Sequence, residues 1–260
     1  MSISPHIIYS VFAFAFGAVV GSFLNVCICR MPKDESVVLP PSHCTNCDYL
    51  IRWYDNVPMV SYLLLKGRCR SCGEPISAQY PLVEFLNGAL TLALFLKFGP
   101  SFVFAVLFLF CSALVVITFI DLEYQIIPDM ITLPGIVIGF ALSFLIPNFG
   151  WLSSLIGILS GGGSLLLIAY LYQAVAKKDG LGGGDIKLLA MMGAFFGWKA
   201  ILFIIFAASL AGSAIGITVM LVQKKDATLA IPFGPFLASA AVLYIFCGNQ
   251  IIFWYLHMGR

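Results

Sequence analysis

The sequence predicts an all-α polytopic membrane protein of about eight transmembrane helices, with one small polar insert after the first. Three observations carry that expectation. Of 260 residues, 61% are hydrophobic and only 10% charged, with a mean hydropathy of +1.01. A soluble domain has too little polar surface to cover so much apolar sequence. Apolar runs long enough to cross ~30 Å of hydrocarbon recur along the whole chain. The only sizeable polar stretch between them is roughly Met31 to Tyr80.

The first run, Ile7 to Cys29, resembles a signal peptide only superficially. No basic stretch precedes it, and Arg30 and Lys33 follow it, so it reads as a retained span. Further spans are expected at Leu82–Leu96, Ser101–Ile120, Met130–Ile146, Trp151–Ala176, Ile186–Gly197, Ala200–Val222 and Ile231–Leu256. Leu82–Leu96 and Ile186–Gly197 are short, and should extend into flanking residues or bury themselves among neighbours.

Orientation follows from charge. With the N-terminus outside the cytoplasm, Arg30, Lys33, Arg52, Lys66, Arg68, Arg70, Lys177, Lys178, Lys187, Lys224 and Lys225 fall inside, and only Lys97, Lys199 and Arg260 outside. Eleven against three is the positive-inside pattern. The net charge of +2 is explained by that bias. No basic patch with interleaved aromatics suggests nucleic acid. No internal repeat is visible, nor a linker long enough to separate two soluble domains. The expected organisation is a first helix over 1–30, a polar insert over 31–80 and a membrane core over 81–260.

The insert holds "CTNC" (Cys44, Cys47) and "CRSC" (Cys69, Cys72), two CxxC knuckles separated by 21 residues. Each pair offers two sulfurs to one metal, and two pairs close a zinc tetrahedron. Two disulfides or four free thiols are the alternatives. The charge bias puts the insert in the cytosol, where structural disulfides are rare. With few aliphatics beyond "VPMVSYLLL" (Val57 to Leu65), it also needs a staple. A zinc ribbon is therefore favoured; four thiolates leave no open coordination position for catalysis. Cys27, Cys29, Cys111 and Cys247 lie in or beside apolar runs and read as small buried hydrophobes.

Carboxylates at the membrane edge are costly, which makes them functional candidates. Asp121 directly follows "ALVVITFI", and Asp185 follows three glycines in "GLGGGDIKLL" (Gly180 to Leu189). Both fall on the cytoplasmic side. Apposed in space, they could not comfortably both ionise and would share a proton, as an aspartic protease requires. Gly182, Gly183 and Gly184 would permit unusual dihedrals and close approach of a substrate backbone. The competing reading makes Asp185 an N-cap and Asp121 an interfacial residue. Asp129, after the proline turn "IP", reads as a helix start.

With these motifs in order, the chain resembles the type IV prepilin peptidases, membrane aspartic proteases that also N-methylate their product. The resemblance rests on "GSFLNVCICRMP" (Gly21 to Pro32), the two cysteine pairs, "YPLVEF" (Tyr80 to Phe85), "DLEYQIIPD" (Asp121 to Asp129) and "GGGDIKLLA" (Gly182 to Ala190), the last matching the family's GxGD motif. It implies that Asp121 and Asp185 are the protease dyad. It implies a prepilin or pseudopilin substrate whose short basic leader is cut at the cytoplasmic face of the bacterial inner membrane. It further implies methyl transfer from S-adenosylmethionine to the new amino terminus.

The same resemblance links methylation to the cysteine-bearing insert and to a Gly-basic pair before its third cysteine, here Gly67-Arg68 where lysine is more familiar. Arginine and lysine are different donors, so the role of Arg68 departs from the family pattern. For Gly67 a tight turn into the knuckle is an equal reading. Glu84, just inside the second span, would orient an amine or cofactor, or pair with a neighbouring helix. "GGG" at Gly161 to Gly163 reads as a helix-packing surface. His6, His43 and His257 lack ligand spacing, and His43 reads as a loop residue beside Cys44.

Two other classes compete. A cation channel or transporter would use the aspartates for ions, with broken helices near the midplane. A zinc-ribbon membrane scaffold would tolerate loss of either aspartate. The chain has no HExxH and no GxSxG, which excludes metalloprotease and serine-protease readings.

Overall fold

The computed structural model describes residues 5–145, 150–177, 182–223 and 232–254 except 249 and 252. Gly180, Leu181, Lys178, Lys224, Lys225, His257, Arg260 and the predicted span ends Ile146, Ile231 and Leu256 lie outside the described residues. Nine α-helices are described: α1 (Pro5–Arg30), α2 (Val60–Leu64), α3 (Gln79–Phe98), α4 (Phe102–Tyr124), α5 (Asp129–Leu142), α6 (Trp151–Ala176), α7 (Gly183–Phe196), α8 (Trp198–Gln223) and α9 (Gly234–Leu243). α9 runs on into a π-helical turn, Tyr244–Gly248. No strand is present among the described residues, only two isolated bridges in the insert.

Five helices, α1, α3, α4, α6 and α8, are long and apolar enough to cross a membrane. The other expected spans are shorter. α5 and α7 have 14 residues each, about 21 Å of helix. Length and composition therefore support five of the eight expected spans. α7, expected to be short, does bury itself among neighbours, for Leu188 to Ala194 are all buried and protein rather than lipid surrounds them.

The chain forms two compact units, Met1–Phe119 and Ile120–Arg260. In the first, α1 and α3 pair tightly. Lipid gives no hydrophobic drive for that pairing, so close packing and polar contacts must supply it. Gly17 and Gly21 provide the surface. A Cβ on Gly21 would lie 2.7 Å from the Glu84 Cα, and the Gly17 carbonyl accepts from Asn87 Nδ2 at 2.7 Å. Asn87 Oδ1 accepts from Ser112 of α4 at 3.0 Å, and Asn25 Nδ2 donates to the Tyr80 carbonyl at 3.1 Å. Every one of these buried amides has a partner, as the membrane interior demands.

The insert repeats itself, which its sequence conceals. Cys44 N–H donates to Tyr49 C=O (2.9 Å) and Asp48 N–H to Cys44 C=O (3.0 Å); 25 positions on, Cys69 N–H donates to Glu74 C=O (2.8 Å) and Gly73 N–H to Cys69 C=O (3.0 Å). Bridges His43–Leu50 and Arg68–Pro75 keep the same offset. Asp48 (φ 54°) and Gly73 (φ 74°) share the left-handed turn, for which glycine and aspartate are both suited. The expectation of no internal repeat is corrected on this point. The aliphatic run "VPMVSYLLL" builds no core, since Ser61 is the only buried residue between Met31 and Ala78, which leaves the insert in need of the staple its sequence suggests.

In the second unit α7 is the centre. Glycines again set the distances. A Cβ on Gly161 would meet Leu189 backbone, and one on Gly162 would lie 3.3 Å from the Ala190 Cβ, whereas Gly163 faces open space. Two of the three glycines thus form the expected packing surface of α6. Gly135 and Gly139 of α5 admit Met191 and Phe195 of α7, and Ser154 Oγ donates to the Ala194 carbonyl at 2.8 Å. Gly21→Leu is expected to lower stability by about 1–3 kcal/mol or more, since backbone rather than a pliable side chain opposes the added volume. A thermal-unfolding assay in detergent checks it, with Gly163→Leu as the substitution expected to be tolerated.

Candidate active site and metal centre

Asp121 lies near the end of α4, with 5% exposure. A buried carboxylate needs hydrogen-bond donors, since water cannot supply them. One comes from a residue the sequence did not single out. The backbone N–H of Gly234 donates to Asp121 Oδ2 at 2.9 Å. Gly234 opens α9 ahead of Pro235, so this N–H has no partner within the helix and points outward with the positive end of the helix dipole. A Cβ on Gly234 would sit 2.6 Å from Asp121 Oδ2. Only glycine permits that contact.

Asp185 occupies the first turn of α7. Its charge and that of Asp121 interact, so the two carboxylates the sequence selected are brought together. Asp185 Oδ1 is buried and has no hydrogen-bond partner, an arrangement a plain N-cap does not explain. N-cap position itself belongs to Gly182, in extended backbone (φ −69°, ψ 135°).

The glycines before Asp185 provide room rather than unusual dihedrals. None of Gly182, Gly183 and Gly184 has a positive φ. A Cβ on Gly184 would lie 2.8 Å from the Ile127 Cβ, while one on Gly183 would meet nothing within 4 Å. Ile127 also reaches the Gly234 site, where a Cβ would be 3.4 Å from its Cδ1. One isoleucine thus wedges between Gly184, in the first turn of α7, and Gly234, which begins α9. The proline turn carrying it ends in Asp129, which starts α5 as expected and pairs with Lys187 of α7 at 2.7 Å.

In the first unit, the sulfurs of Cys44, Cys47, Cys69 and Cys72 all lie within 4.8 Å of one another. Cys44 Sγ to Cys72 Sγ is 3.8 Å and Cys47 Sγ to Cys69 Sγ 4.0 Å. Tetrahedral zinc with bonds of about 2.3 Å separates its sulfurs by about 3.8 Å, so the donor set fits zinc and is far from disulfide length. Backbone N–H groups of Cys72 and Ser71 pull the Cys69 thiol down to about 7. Cys47 receives similar help from a Tyr49 backbone hydrogen bond, yet burial and the hydrogen-bonded thiols of Cys72, Cys44 and Cys69 push it up to about 11. Four thiolates at this spacing need a cation among them.

A cavity of about 490 Å³ opens beside this cluster, with Ser22, Asn25, Cys29, Arg70, Tyr80 and Glu84 in its wall. Glu84 is buried, and its Oε2 accepts the Met59 backbone N–H at 2.7 Å. Gly67 and Arg68 do not line the cavity. Gly67 (φ +66°) faces the Tyr62 ring and donates to the Tyr62 carbonyl at 2.8 Å, which is the tight turn into the second knuckle; Arg68 is exposed. Arg70 takes the place in the wall, bidentate on Asp55 at 2.6–3.0 Å.

Residues 15–98 match the model of the bacterial peptidase A24 N-terminal domain, and residues 108–217 that of the type IV leader peptidase family. The chain belongs to the type IV leader peptidase family. It is similar to the prepilin leader peptidase/N-methyltransferases of Myxococcus xanthus (41% identity, 84% of this chain and 65% of that protein), Aeromonas hydrophila (36%, 96% and 94%) and Burkholderia pseudomallei strain 1026b (34%, 95% and 87%). No solved structure matches. Cys44, Cys47, Cys69, Cys72 and Glu84 fall in the first matched segment, Asp121 and Asp185 in the second, and Gly234 beyond it.

Elemental analysis of protein prepared without chelators is expected to show about one zinc per chain. Cys69→Ser should lose it. Acidification should release it too, because protons compete for the thiolates as pH falls.

Proposed function

We propose that this chain cleaves the short basic leader from type IV prepilins or pseudopilins at the cytoplasmic face of the bacterial inner membrane, and then N-methylates the new N-terminal residue. The observation that carries the first half is the interacting pair Asp121–Asp185, one oxygen held by the Gly234 N–H and another buried without a partner. Family membership supports the same activity. The short helices α5, α7 and α9 complete eight crossings, with the zinc-bearing insert over 31–80 in the cytoplasm.

The chemistry needs the pair to share one proton. The ionised carboxylate takes a proton from water, and the resulting hydroxide attacks the scissile carbonyl carbon. The protonated carboxyl gives its proton to the carbonyl oxygen, forming a gem-diol. Its collapse breaks the C–N bond: the departing amine receives the proton first taken from water, and a gem-diol hydroxyl gives its proton to the other carboxylate, which restores the shared-proton pair. Open space before Gly183 lets a substrate backbone approach.

For the second half, the cavity lined by Glu84 is of ligand-binding size, and we assign it to S-adenosylmethionine. That group supplies an electrophilic methyl, and Glu84 orients the accepting amine. Zinc holds the two knuckles that form the cavity's outer wall. Arg68 and Gly67 support methyl transfer through the turn that shapes the second knuckle.

Purified protein incubated with a prepilin, followed by mass measurement of the product N-terminus, tests both activities. Asp121→Asn and Asp185→Asn are each expected to lower cleavage by about 10³-fold or more, with the protein still folded. Asparagine serves well as a cap, so a merely capping Asp185 would tolerate the change. Glu123→Gln is the control; Asp129 is unsuitable because of its bond to Lys187.

Gly234→Ala should cut the cleavage kcat by about 10²-fold, by displacing the Asp121 carboxylate, while methylation of precleaved pilin persists. Glu84→Gln should do the reverse, losing about 10²-fold in methyl transfer with cleavage retained.

A further inference from the structure

The insert between α1 and α3 is built inside out. α2 buries its serine, whose Oγ donates to the Tyr54 carbonyl at 2.8 Å and accepts from the Val57 N–H at 3.1 Å. Its apolar face points the other way. Val60, Leu63 and Leu64 share that face by helical spacing and are 50%, 74% and 78% exposed. Val38 and Leu39 are likewise bare. A water-soluble helix has the opposite polarity.

Depth explains the inversion. Glu84 is five residues into α3, about 7.5 Å along the axis, and it holds the Met59 N–H. Asn56 Oδ1 accepts from Ser22 Oγ at 3.3 Å, eight residues before α1 ends at Arg30. α3 is 20 residues long, about 30 Å, which is just the hydrocarbon thickness. The turn Asn56–Met59 therefore sits inside the level of the helix ends. Interfacial helices lie about 5–10 Å into the headgroup and acyl boundary, the same depth.

A groove of about 470 Å³ continues from there onto α1. Val19, Phe23 and Val26 form one wall and Val38, Pro40 and Pro58 the other. Val19 and Phe23 are more than half exposed on a membrane-spanning helix. The groove is thus continuous with a lipid-facing surface. Within 31–78 the five basic residues (Lys33, Arg52, Lys66, Arg68, Arg70) equal the five acidic ones (Asp34, Glu35, Asp48, Asp55, Glu74), so no net charge draws the insert to anionic headgroups.

We propose that the insert is seated in the bilayer boundary, with Val60, Leu63 and Leu64 among the acyl chains and one chain lying in the groove along Val19 and Phe23. The partner is lipid hydrocarbon rather than any particular headgroup.

The test uses the full-length, zinc-loaded protein in nanodiscs of phosphatidylcholine carrying a phospholipid with an acyl-chain diazirine. After irradiation and digestion, peptides covering 37–40 and 57–64 should be labelled like the Phe12–Phe23 stretch of α1, and at least tenfold more than knuckle peptides 44–50 and 69–75. Adding anionic lipid should leave the ratio unchanged. Leu63→Glu combined with Leu64→Glu should abolish labelling of 57–64 while α1 stays labelled. Labelled α1 with bare 37–40 and 57–64 overturns the proposal. So does labelling that requires anionic lipid. Loss of label from 37–40 and 57–58 on addition of prepilin would instead give the groove to the substrate's hydrophobic segment.

Discussion

A carboxylate without water must be given its hydrogen bonds by the protein, and the second unit is organised around that demand. Asp121 takes one from the first N–H of α9, and this requires residue 234 to have no side chain. Ile127 fills the space between that glycine and Gly184, so the same wedge that settles α9 also settles the start of α7, where Asp185 stands. The Asp129–Lys187 pair closes the turn from outside. At its exposure such a pair adds little stability; its value is in fixing where the proline turn, and hence Ile127, lies.

Helix packing is subordinate to the same geometry. α7 is too short to cross a bilayer alone, yet it carries Asp185 at its first turn. Surrounding it by α5, α6 and α8 removes the need for length, and glycines at 135, 139, 157 and 161 let those neighbours come close enough to do so. The first unit uses the same device at Gly17, Gly21 and Gly88. Small residues and satisfied amides take the part that burial plays in water.

Legibility followed side-chain chemistry. Asp121 and Asp185 stood out because ionisable groups are rare in apolar sequence, and the four cysteines because thiols in CxxC pairs have few other uses. Gly234 left no such sign, since its contribution is a backbone N–H and the lack of a Cβ; the string "PFGPF" alone hints at a helix start. The knuckle repeat was hidden because aspartate at 48 and glycine at 73 solve the same left-handed turn with different chemistry. Gly182 to Gly184 were read as both conformational freedom and clearance; their φ values are ordinary, and only the clearance is used. The run Val57 to Leu65 stood out as the insert's main aliphatic stretch, but hydrophobicity alone does not say whether protein or lipid will cover it. Span number was hardest to read for a related reason, as a short apolar helix looks the same whether lipid or protein surrounds it.

The paired knuckles also bear on how α1 finds α3. Forty-eight residues separate Arg30 from Gln79, and bringing the two helices together closes that loop. With Cys44 and Cys72 tied at 3.8 Å, the path shortens to about twenty residues. Closure entropy grows only with the logarithm of length, so the gain is about 0.7 kcal/mol. A metal bound early in synthesis would therefore scarcely hasten the meeting of the two helices. Their pairing is left to Gly17, Gly21 and the Asn87 amide, and the membrane half of the unit can assemble before the insert has taken its final shape.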